Sequence, residues 1–359
     1  MDIRLSSIKG IDYKVSFSDS GYKELNNLIE NYSSIFILVD LNTSRYCLTH
    51  LLEKVKKLDQ KLVITINPGE DKKNLETCHY VWKRLSDLNA DRKSLLINLG
   101  GGVISDLGGF VASAFKRGIS FINVPTTLLS MVDASVGGKT GVDFHGLKNL
   151  IGFITNPSFV IIDYLFLKTL PVNEYKSGYA EMLKHGIIRD SKFFKTLSNF
   201  ELSNSNNIAR YIHYSISIKN DIVNEDPYEN GLRKILNFGH TLGHAIESYF
   251  LNDQGKKRLL HGEAIAVGMI TEAFLSTKFS GLKLEVAKKI KDVFLAIFPK
   301  IYLNKKDITS ILQLLKYDKK NSFGKVKFVL LKELGKTVID VEITEQNFFF
   351  EAFDFYNKN

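Results

Sequence analysis

The sequence predicts an α/β protein in which a parallel sheet flanked by helices is followed by a mainly α-helical second domain. Three observations carry this reading. Short β-rich runs alternate with helical patterns up to about residue 170, whereas long amphipathic segments take over after Pro171. The 359 residues exceed the length at which one hydrophobic core usually stops growing. Domains over 1–170 and 171–359 are therefore expected.

The first half is read from "SIFILVD", "KLVITINPG", "SLLINLGGG", "ISFINVPTT" and "FVIIDY" as strands. Between them "KNLETCHYVWKRLSDLN" places Leu75, Cys78, Val81, Trp82 and Leu85 on one helical face. Strands alternating with helices imply a parallel sheet covered on both faces, with ligands bound by loops at the carboxyl ends of the strands. In the second half, "NEYKSGYAEMLKHGII", "NIARYIHYSISIKNDIV", "RKILNFGHTLGHAIESYF" and "GEAIAVGMITEAFLSTKF" read as helices. "KVKFVLL" and "KTVIDVEIT", separated by "KELG", read as a short hairpin. A cleft between the halves is the expected place for a ligand.

Composition excludes several classes. With 44% hydrophobic and 24% charged residues and no low-complexity tract, the chain is neither disordered nor fibrous. Its net charge of +9 is spread along the sequence without a basic run interleaved with aromatics, so no nucleic-acid partner is expected. Some of the excess charge instead suits anionic small molecules. Cys47 and Cys78 are isolated and suit a reducing compartment. "MDIRLSSIKG" lacks the apolar core of a signal peptide, and runs such as "SFVIIDYLFL" are too short to span a bilayer. A cytoplasmic protein with no membrane partner is expected.

Gly100, Gly101 and Gly102 stand between an apolar strand and an apolar helix. Glycines there permit close backbone approach to a pyrophosphate, and the helix N-terminus offers free N–H groups. The spacing departs from G-x-G-x-x-G, so a tight structural turn explains this stretch equally well. Asp40 and Asn42 follow one strand and Glu70 and Lys73 another, on the same expected sheet edge. The block "VPTTLLSMVDASVGGKTGVDFHGLKNLIG" interleaves Thr126, Thr127, Asp133, Lys139, Lys148 and Asn149 with glycines. Walker spacing is absent, which excludes a P-loop ATPase.

His240 and His244 in "HTLGH" share a helical face. That spacing suits metal ligation, joint contact with a substrate, or a structural pair. Glu181 and Lys184 lie on one face of "YAEMLKHG", His261 and Glu263 open another helix, and Asn237 and Arg233 are placed about one and two turns before His240. One carboxylate and two imidazoles from separate helices would make a three-ligand metal site with an open position.

Together "GGGVISDLGGFVASAFKRG", "VPTTLLSMVDASVGGKTGVD", "LKNLIG", "EMLKHG", "LRKILNFGHTLGHAIE", "LHGEAIAVGM" and "DKK" resemble, in order and spacing, the 3-dehydroquinate synthase family of the sugar phosphate cyclases. The resemblance spans roughly residues 36–330. It implies a Rossmann-like dinucleotide-binding domain followed by a helical metal-binding domain, NAD, a divalent metal (zinc or cobalt), and a homodimer. By motif, it implies Glu181, His240 and His261 as metal ligands and His244 as a substrate contact. Asp40, Asn42, Glu70, Lys73, Gly101, Gly102, Asp106, Thr126, Thr127, Asp133, Lys148 and Thr169 would face NAD. Lys139 would serve both cofactor and substrate. Arg117, Asn149, Lys184, Lys219, Arg233, Asn237 and Lys319 complete the implied substrate side, with Arg117 reaching in from a partner subunit. Similar enzymes convert 3-deoxy-D-arabino-heptulosonate 7-phosphate to 3-dehydroquinate by transient oxidation, phosphate elimination, re-reduction, ring opening and aldol closure. Three positions depart from the pattern: Ser105 and Leu147 stand where glycines are expected, and "NDQGKKR" is long. The rival readings are a sister cyclase acting on a substrate without a carboxylate, a metal-dependent NAD alcohol dehydrogenase, and a degenerate binding protein.

Overall fold

The computed structural model describes residues 5–199, 207–252, 255–315 and 326–358. Lys319 lies outside the described residues. The chain forms two compact units, Met1–Tyr175 with Asn206–Asn224, and Lys176–Ser205 with Glu225–Asn359.

In the first unit the strands are β1 (Ile8–Lys9), β2 (Lys14–Phe17), β3 (Ile35–Asp40), β4 (Val63–Ile66), β5 (Leu95–Gly100), β6 (Ser120–Pro125), β7 (Lys139–Phe144), β8 (Leu147–Ile154) and β9 (Phe159–Ile162). Seven of them form one sheet in the order β1-β2-β9-β6-β5-β3-β4, parallel except for the terminal β1–β2 pair. Every residue of β5 is buried, as a largely apolar run requires when helices cover both faces, and the one polar side chain in it, Asn98, donates to Asn123 Oδ1 at 3.0 Å. Helices α1 (Ser18–Leu28), α2 (Leu41–Tyr46), α3 (Leu48–Lys54), α4 (Leu75–Asp87) and α5 (Gly102–Ala114) connect the strands. The expected face of α4 is the one that packs: Cys78, Val81 and Leu85 are buried, with Trp82 against the same core.

Two features of this unit depart from the periodicity reading. The glycine-rich block after β6, to which the sequence assigns no element, passes through a π-helical turn at Ser130–Ala134 and then forms the antiparallel hairpin β7–β8. Small and polar residues hid that hairpin, because neither strand carries the alternation of a half-buried sheet. Helices α6 (Val172–Arg189), α7 (Ser191–Ser198) and α8 (Ile208–Glu225) follow, and α8 returns to the first unit. There Tyr13 donates to Asn220 Oδ1 at 2.9 Å, and Asn220 Nδ2 donates to the Lys9 carbonyl at 3.0 Å. A boundary drawn at the change in periodicity cannot register this return, since period 3.6 specifies a helix but not its packing partner.

The second unit contains α7, α9 (His240–Asn252), α10 (His261–Phe279), α11 (Leu284–Ile297), α12 (Lys305–Leu314), α13 (Gln346–Asn357) and the expected hairpin, β10 (Lys327–Glu333) with β11 (Lys336–Glu342). Helix α10 packs against α9, α11, α13 and β10, and its sequence is correspondingly apolar around most of its circumference. Among the described residues no helix is long and apolar enough to cross a membrane.

The run 233–250 is two elements rather than one helix: a 3₁₀ turn over Leu232–Asn237, then α9 from His240. Gly239 breaks it with φ +79°, a left-handed conformation that side chains resist. Asn237 and Arg233 therefore do not lie one and two turns before His240 on a common helix.

Candidate active site

In the first unit, parallel pairing brings the carboxyl ends of β3, β4, β5, β6 and β9 to one sheet edge. Asp40 ends β3 and caps α2, its Oδ1 accepting from Thr43 N–H at 2.8 Å. Asn42 is exposed in the first turn of that helix. Gly101 and Gly102 carry β5 into α5, and a Cβ at Gly101 would meet Thr127 Cγ2 at 2.9 Å. Thr126 N–H donates to the Gly100 carbonyl at 2.9 Å, tying the β6 exit to the β5 exit, and Thr127 Oγ1 accepts from Ser130 N–H at 3.1 Å. Thr169 closes the 3₁₀ segment after β9. The first turn of α5 thus presents backbone N–H groups at an edge lined by small and hydroxylated residues, a setting suited to a phosphate diester.

Beside it lies a cluster of opposite charges. Buried Lys73 Nζ is 2.8 Å from Glu70 Oε1, 3.4 Å from Asp106 Oδ2 and 3.7 Å from Asp143 Oδ1, and Lys148 Nζ is 2.9 Å from Glu70 Oε1. Burial pushes the Asp106 carboxyl up to about 6, only partly offset by Lys73 and reinforced by Glu70. Lys73 is held above its ordinary range because three carboxylates outweigh its burial. Both shifts are upward, yet they favour opposite charge states: the lysine, with three counter-ions, is held charged, whereas burial disfavours the Asp106 carboxylate, which competes for one shared ammonium. Asp143 was not anticipated from sequence; besides Lys73, it accepts from Asn149 N–H at 2.7 Å and so shapes the β7–β8 turn, where Asn149 has φ +51°.

Lys219, buried on α8, donates to Asp133 Oδ1 at 2.6 Å and to the Asp133 carbonyl at 2.7 Å. Lys139 is exposed at the open end of the hairpin, opposite Ile154, while Asn149 lies near its turn. Five residues of β8, about 17 Å, separate Asn149 from Ile154, the residue opposite Lys139, so the hairpin does not bring these two together. Arg117 is exposed with φ +69°, between Lys116 at +50° and Gly118 at +111°. These lie at the end of α5, where Lys116 and Arg117 line a cavity of about 510 Å³ with Asp91, Arg92 and Lys93. At Ser105, where glycine was expected, the buried hydroxyl pairs with Ser130 Oγ at 3.0 Å, so the departure is accommodated without an orphaned group.

In the second unit, Glu181 on α6, His240 at the start of α9 and His261 at the start of α10 converge. His240 Nε2 is 3.4 Å and His261 Nε2 is 3.6 Å from Glu181 Oε1. Each imidazole is held by its other nitrogen: His240 Nδ1 lies 3.1 Å from the Phe238 carbonyl, and His261 Nδ1 lies 3.3 Å from Glu247 Oε2. Glu181 is completely buried, and neither of its oxygens has a partner in hydrogen-bond geometry, although Lys184 Nζ forms an ion pair with Oε2. Despite that burial, Lys184, His240 and His261 hold Glu181 well below the usual carboxylate range. Burial opposes charge on His261, but Glu247 and Glu181 raise it to about 9.

A buried carboxylate with unsatisfied oxygens, facing two imidazoles tethered through Nδ1, is the donor set of a divalent metal site with an outer layer in place. The residues present therefore fit such an ion. His244 sits one turn along α9, its ring centroid 5.1 Å from that of His240 and 6.0 Å from that of His261. Because the Nδ1 tethers leave His240 and His261 facing Glu181, these two complete the trio, and His244 stands beside it.

Arg233 is buried, its Nη1 donating to the Pro227 carbonyl at 2.6 Å, and Asn237 Nδ2 donates to Glu229 Oε1. Asp226, which sequence reasoning missed, gathers the N–H groups of Asn230, Gly231 and Arg233 at 3.0, 2.7 and 3.0 Å. Its burial is outweighed by those bonds, and its carboxyl falls below the ordinary range. The stretch "DPYENG" carried the available signal, since aspartate before proline followed by Asn-Gly marks a side-chain-organised turn. Glu247 was missed for want of one: it reads as an ordinary amphipathic-helix carboxylate.

Comparison with known proteins agrees with this arrangement. Residues 63–177 match the model of the 3-dehydroquinate synthase N-terminal domain, and residues 178–321 match the C-terminal one. A 3-dehydroquinate synthase of Parabacteroides distasonis is 39% identical over 330 residues, covering 91% of this chain and 92% of the relative. Among solved structures, 2-deoxy-scyllo-inosose synthase complexed with carbaglucose-6-phosphate, NAD+ and Co2+ superposes with a TM-score of 0.82 at 25% identity, over 97% of this chain and 99% of that one. The 2-epi-5-epi-valiolone synthase of Streptomyces hygroscopicus, with NAD+ and Zn2+ bound, gives 0.82 at 25% identity over 98% of each chain. With both halves matched in order, and the synthase likeness exceeding that to either sister cyclase, the chain belongs to the 3-dehydroquinate synthase family.

Proposed function

We propose that this protein is a 3-dehydroquinate synthase, a carbon–oxygen lyase that converts 3-deoxy-D-arabino-heptulosonate 7-phosphate to 3-dehydroquinate and inorganic phosphate without net redox change. The observation that carries the reading is the convergence of His240 Nε2 and His261 Nε2 on the buried Glu181 carboxylate. These three residues would hold a zinc or cobalt ion, and the carboxyl edge of the first unit, with Asp40, Glu70, Lys73, Gly101, Gly102, Asp106, Thr126 and Thr127, would hold NAD. When bound, the metal supplies Lewis-acid polarisation of a substrate hydroxyl, and NAD supplies reversible hydride transfer.

The chain's own residues supply charge and orientation. Lys184, fixed by its ion pair with Glu181, keeps an ammonium beside the metal-side carboxylate in a buried setting, where an electrostatic contact is strongest. Asp226 fixes the backbone that carries Arg233, so its guanidinium is pre-positioned for an anionic substrate group. Exposed Lys139 is a donor for the phosphate and Lys219 a donor for the carboxylate, while Asn149, at the turn of the same hairpin, is too far along it to share that phosphate with Lys139. The carboxylate is what separates this substrate from those of the sister cyclases. A homodimer in the cytoplasm, with Arg117 serving the partner subunit, completes the proposal.

The test is phosphate release by purified protein given the heptulosonate phosphate, Zn2+ or Co2+, and a catalytic amount of NAD. Many phosphates per NAD with no NADH accumulation are expected. Consumption of glucose 6-phosphate or sedoheptulose 7-phosphate instead would reassign the protein to a sister cyclase.

A further inference from the structure

Both histidines of the metal trio occupy the first residue of a helix, where backbone N–H groups lack intrahelical acceptors. For α9 the residue before the helix is Gly239, which has no side chain to cap it. Nor can it be given one easily: at φ +79° a Cβ would lie 2.1 Å from Met269 Cγ and 2.9 Å from Met269 N. The acceptor comes from another helix. Glu272, fully buried on α10, accepts from Gly239 N–H at 2.6 Å through Oε2 and from Leu242 N–H at 3.1 Å through Oε1. These are the groups that a conventional N-cap side chain and its reciprocal partner would serve. The start of α10 repeats the device. Gly262 N–H, next to His261, donates at 2.8 Å to Ser177 Oγ, which lies one turn before Glu181 on α6. A Cβ at Gly262 would come within 2.4 Å of Ser177 Cα, so the two helices approach backbone to backbone.

We propose that Glu272 and Ser177 are positioning residues that set the two imidazoles on Glu181. Glu272, from the helix headed by His261, locks the first turn that carries His240. Ser177, from the helix that bears Glu181, locks the first turn that carries His261. Each of the three helices therefore contributes a ligand, and two of them also contribute the cap that orients another helix's ligand. The inference rests on reading Glu181, His240 and His261 as metal ligands.

The experiment uses full-length protein freed of metal, with Co2+ titrated against a competing chelator while its visible absorption is recorded. Wild type, Glu272→Gln, Ser177→Ala and, as a control on the site itself, His261→Ala are compared. Glutamine keeps one acceptor and loses the other; alanine removes the hydroxyl outright. Loss of an outer partner of a metal ligand typically costs 10–100-fold in affinity, and about that is expected for Glu272→Gln. A loss of roughly 5-fold is expected for Ser177→Ala, the worth of one helix cap. In both, the Co2+ bands should shift. Wild-type affinity and bands in Glu272→Gln and Ser177→Ala would overturn the proposal even if their thermal stability fell, since a merely structural cap lowers melting without touching the coordination sphere. Should Glu272→Gln not fold, Ser177→Ala decides by the same criteria. Failure of wild type to bind Co2+, or binding by His261→Ala equal to wild type, would instead sink the metal-site reading beneath it.

Discussion

Replacing Asp106 by asparagine tests whether the charge cluster below the β5–α5 turn is built for binding rather than for stability. Burial raises the Asp106 carboxyl from 3.8 to about 6 in the folded protein. A shift of about two units corresponds to about 3 kcal/mol at 1.36 kcal/mol per unit. Because the folded-state value is raised, the cost is absent below pH ~4, where the group is protonated in both states. It grows as pH rises and is complete above pH ~6. Asparagine has the same shape and no charge to desolvate, while Lys73 keeps Glu70 at 2.8 Å and Asp143 at 3.7 Å. Asp106→Asn should match wild type in stability near pH 4 and exceed it by about 2–3 kcal/mol at pH 7.5. Thermal unfolding midpoints measured from pH 4 to 8 give the difference directly. On the proposed role of Asp106, NAD binding by the variant should weaken over the same range. A variant less stable than wild type at pH 7.5, or a difference independent of pH, would refute the reasoning.

Lys139→Ala should keep the fold, because the side chain is exposed, while losing most turnover; near-normal turnover in the phosphate-release assay would remove Lys139 from the mechanism. Gly239→Ala should destabilise the second unit by about 2 kcal/mol or more, combining left-handed strain with the clash on Met269, and should weaken Co2+ binding by displacing His240; an unchanged unfolding midpoint would contradict both. Cys47 and Cys78 are buried, and desolvation pushes each thiol up to about 12, so neither should react with iodoacetamide at pH 8 in the native protein; mass spectrometry after a brief exposure would show any adduct.

How far the sequence reaches is seen by following particular residues. The strand run "SLLINLG" reads as buried on both sides, and all of β5 is buried, because a mostly apolar stretch that runs into a glycine turn has few other places to go. The face of α4 is equally legible, since period 3.6 records which side of a helix meets the core. The hairpin β7–β8 and the break at Gly239 were not. In the first, small polar residues suppress the period-2 signal; in the second, helical periodicity continues across the break and conceals it.

What the sequence determined by itself, then, is the alternation of elements, the glycine turn after β5, the family, and the residue types available for ligation. Only the tertiary structure decided which of those residues meet. Glu181 and His240 are separated by the rest of α6 and by α7 and α8, and nothing local in either segment specifies a partner so distant. The same holds for the residues that hold the candidate site in place. Glu247, Asp226, Glu272 and Ser177 are ordinary polar residues in their own windows, and they gain a role only through N–H or imidazole groups that other elements bring to them. The physical reason is that propensity and periodicity act through the nearest few residues, whereas ligand geometry depends on contacts between helices far apart along the chain.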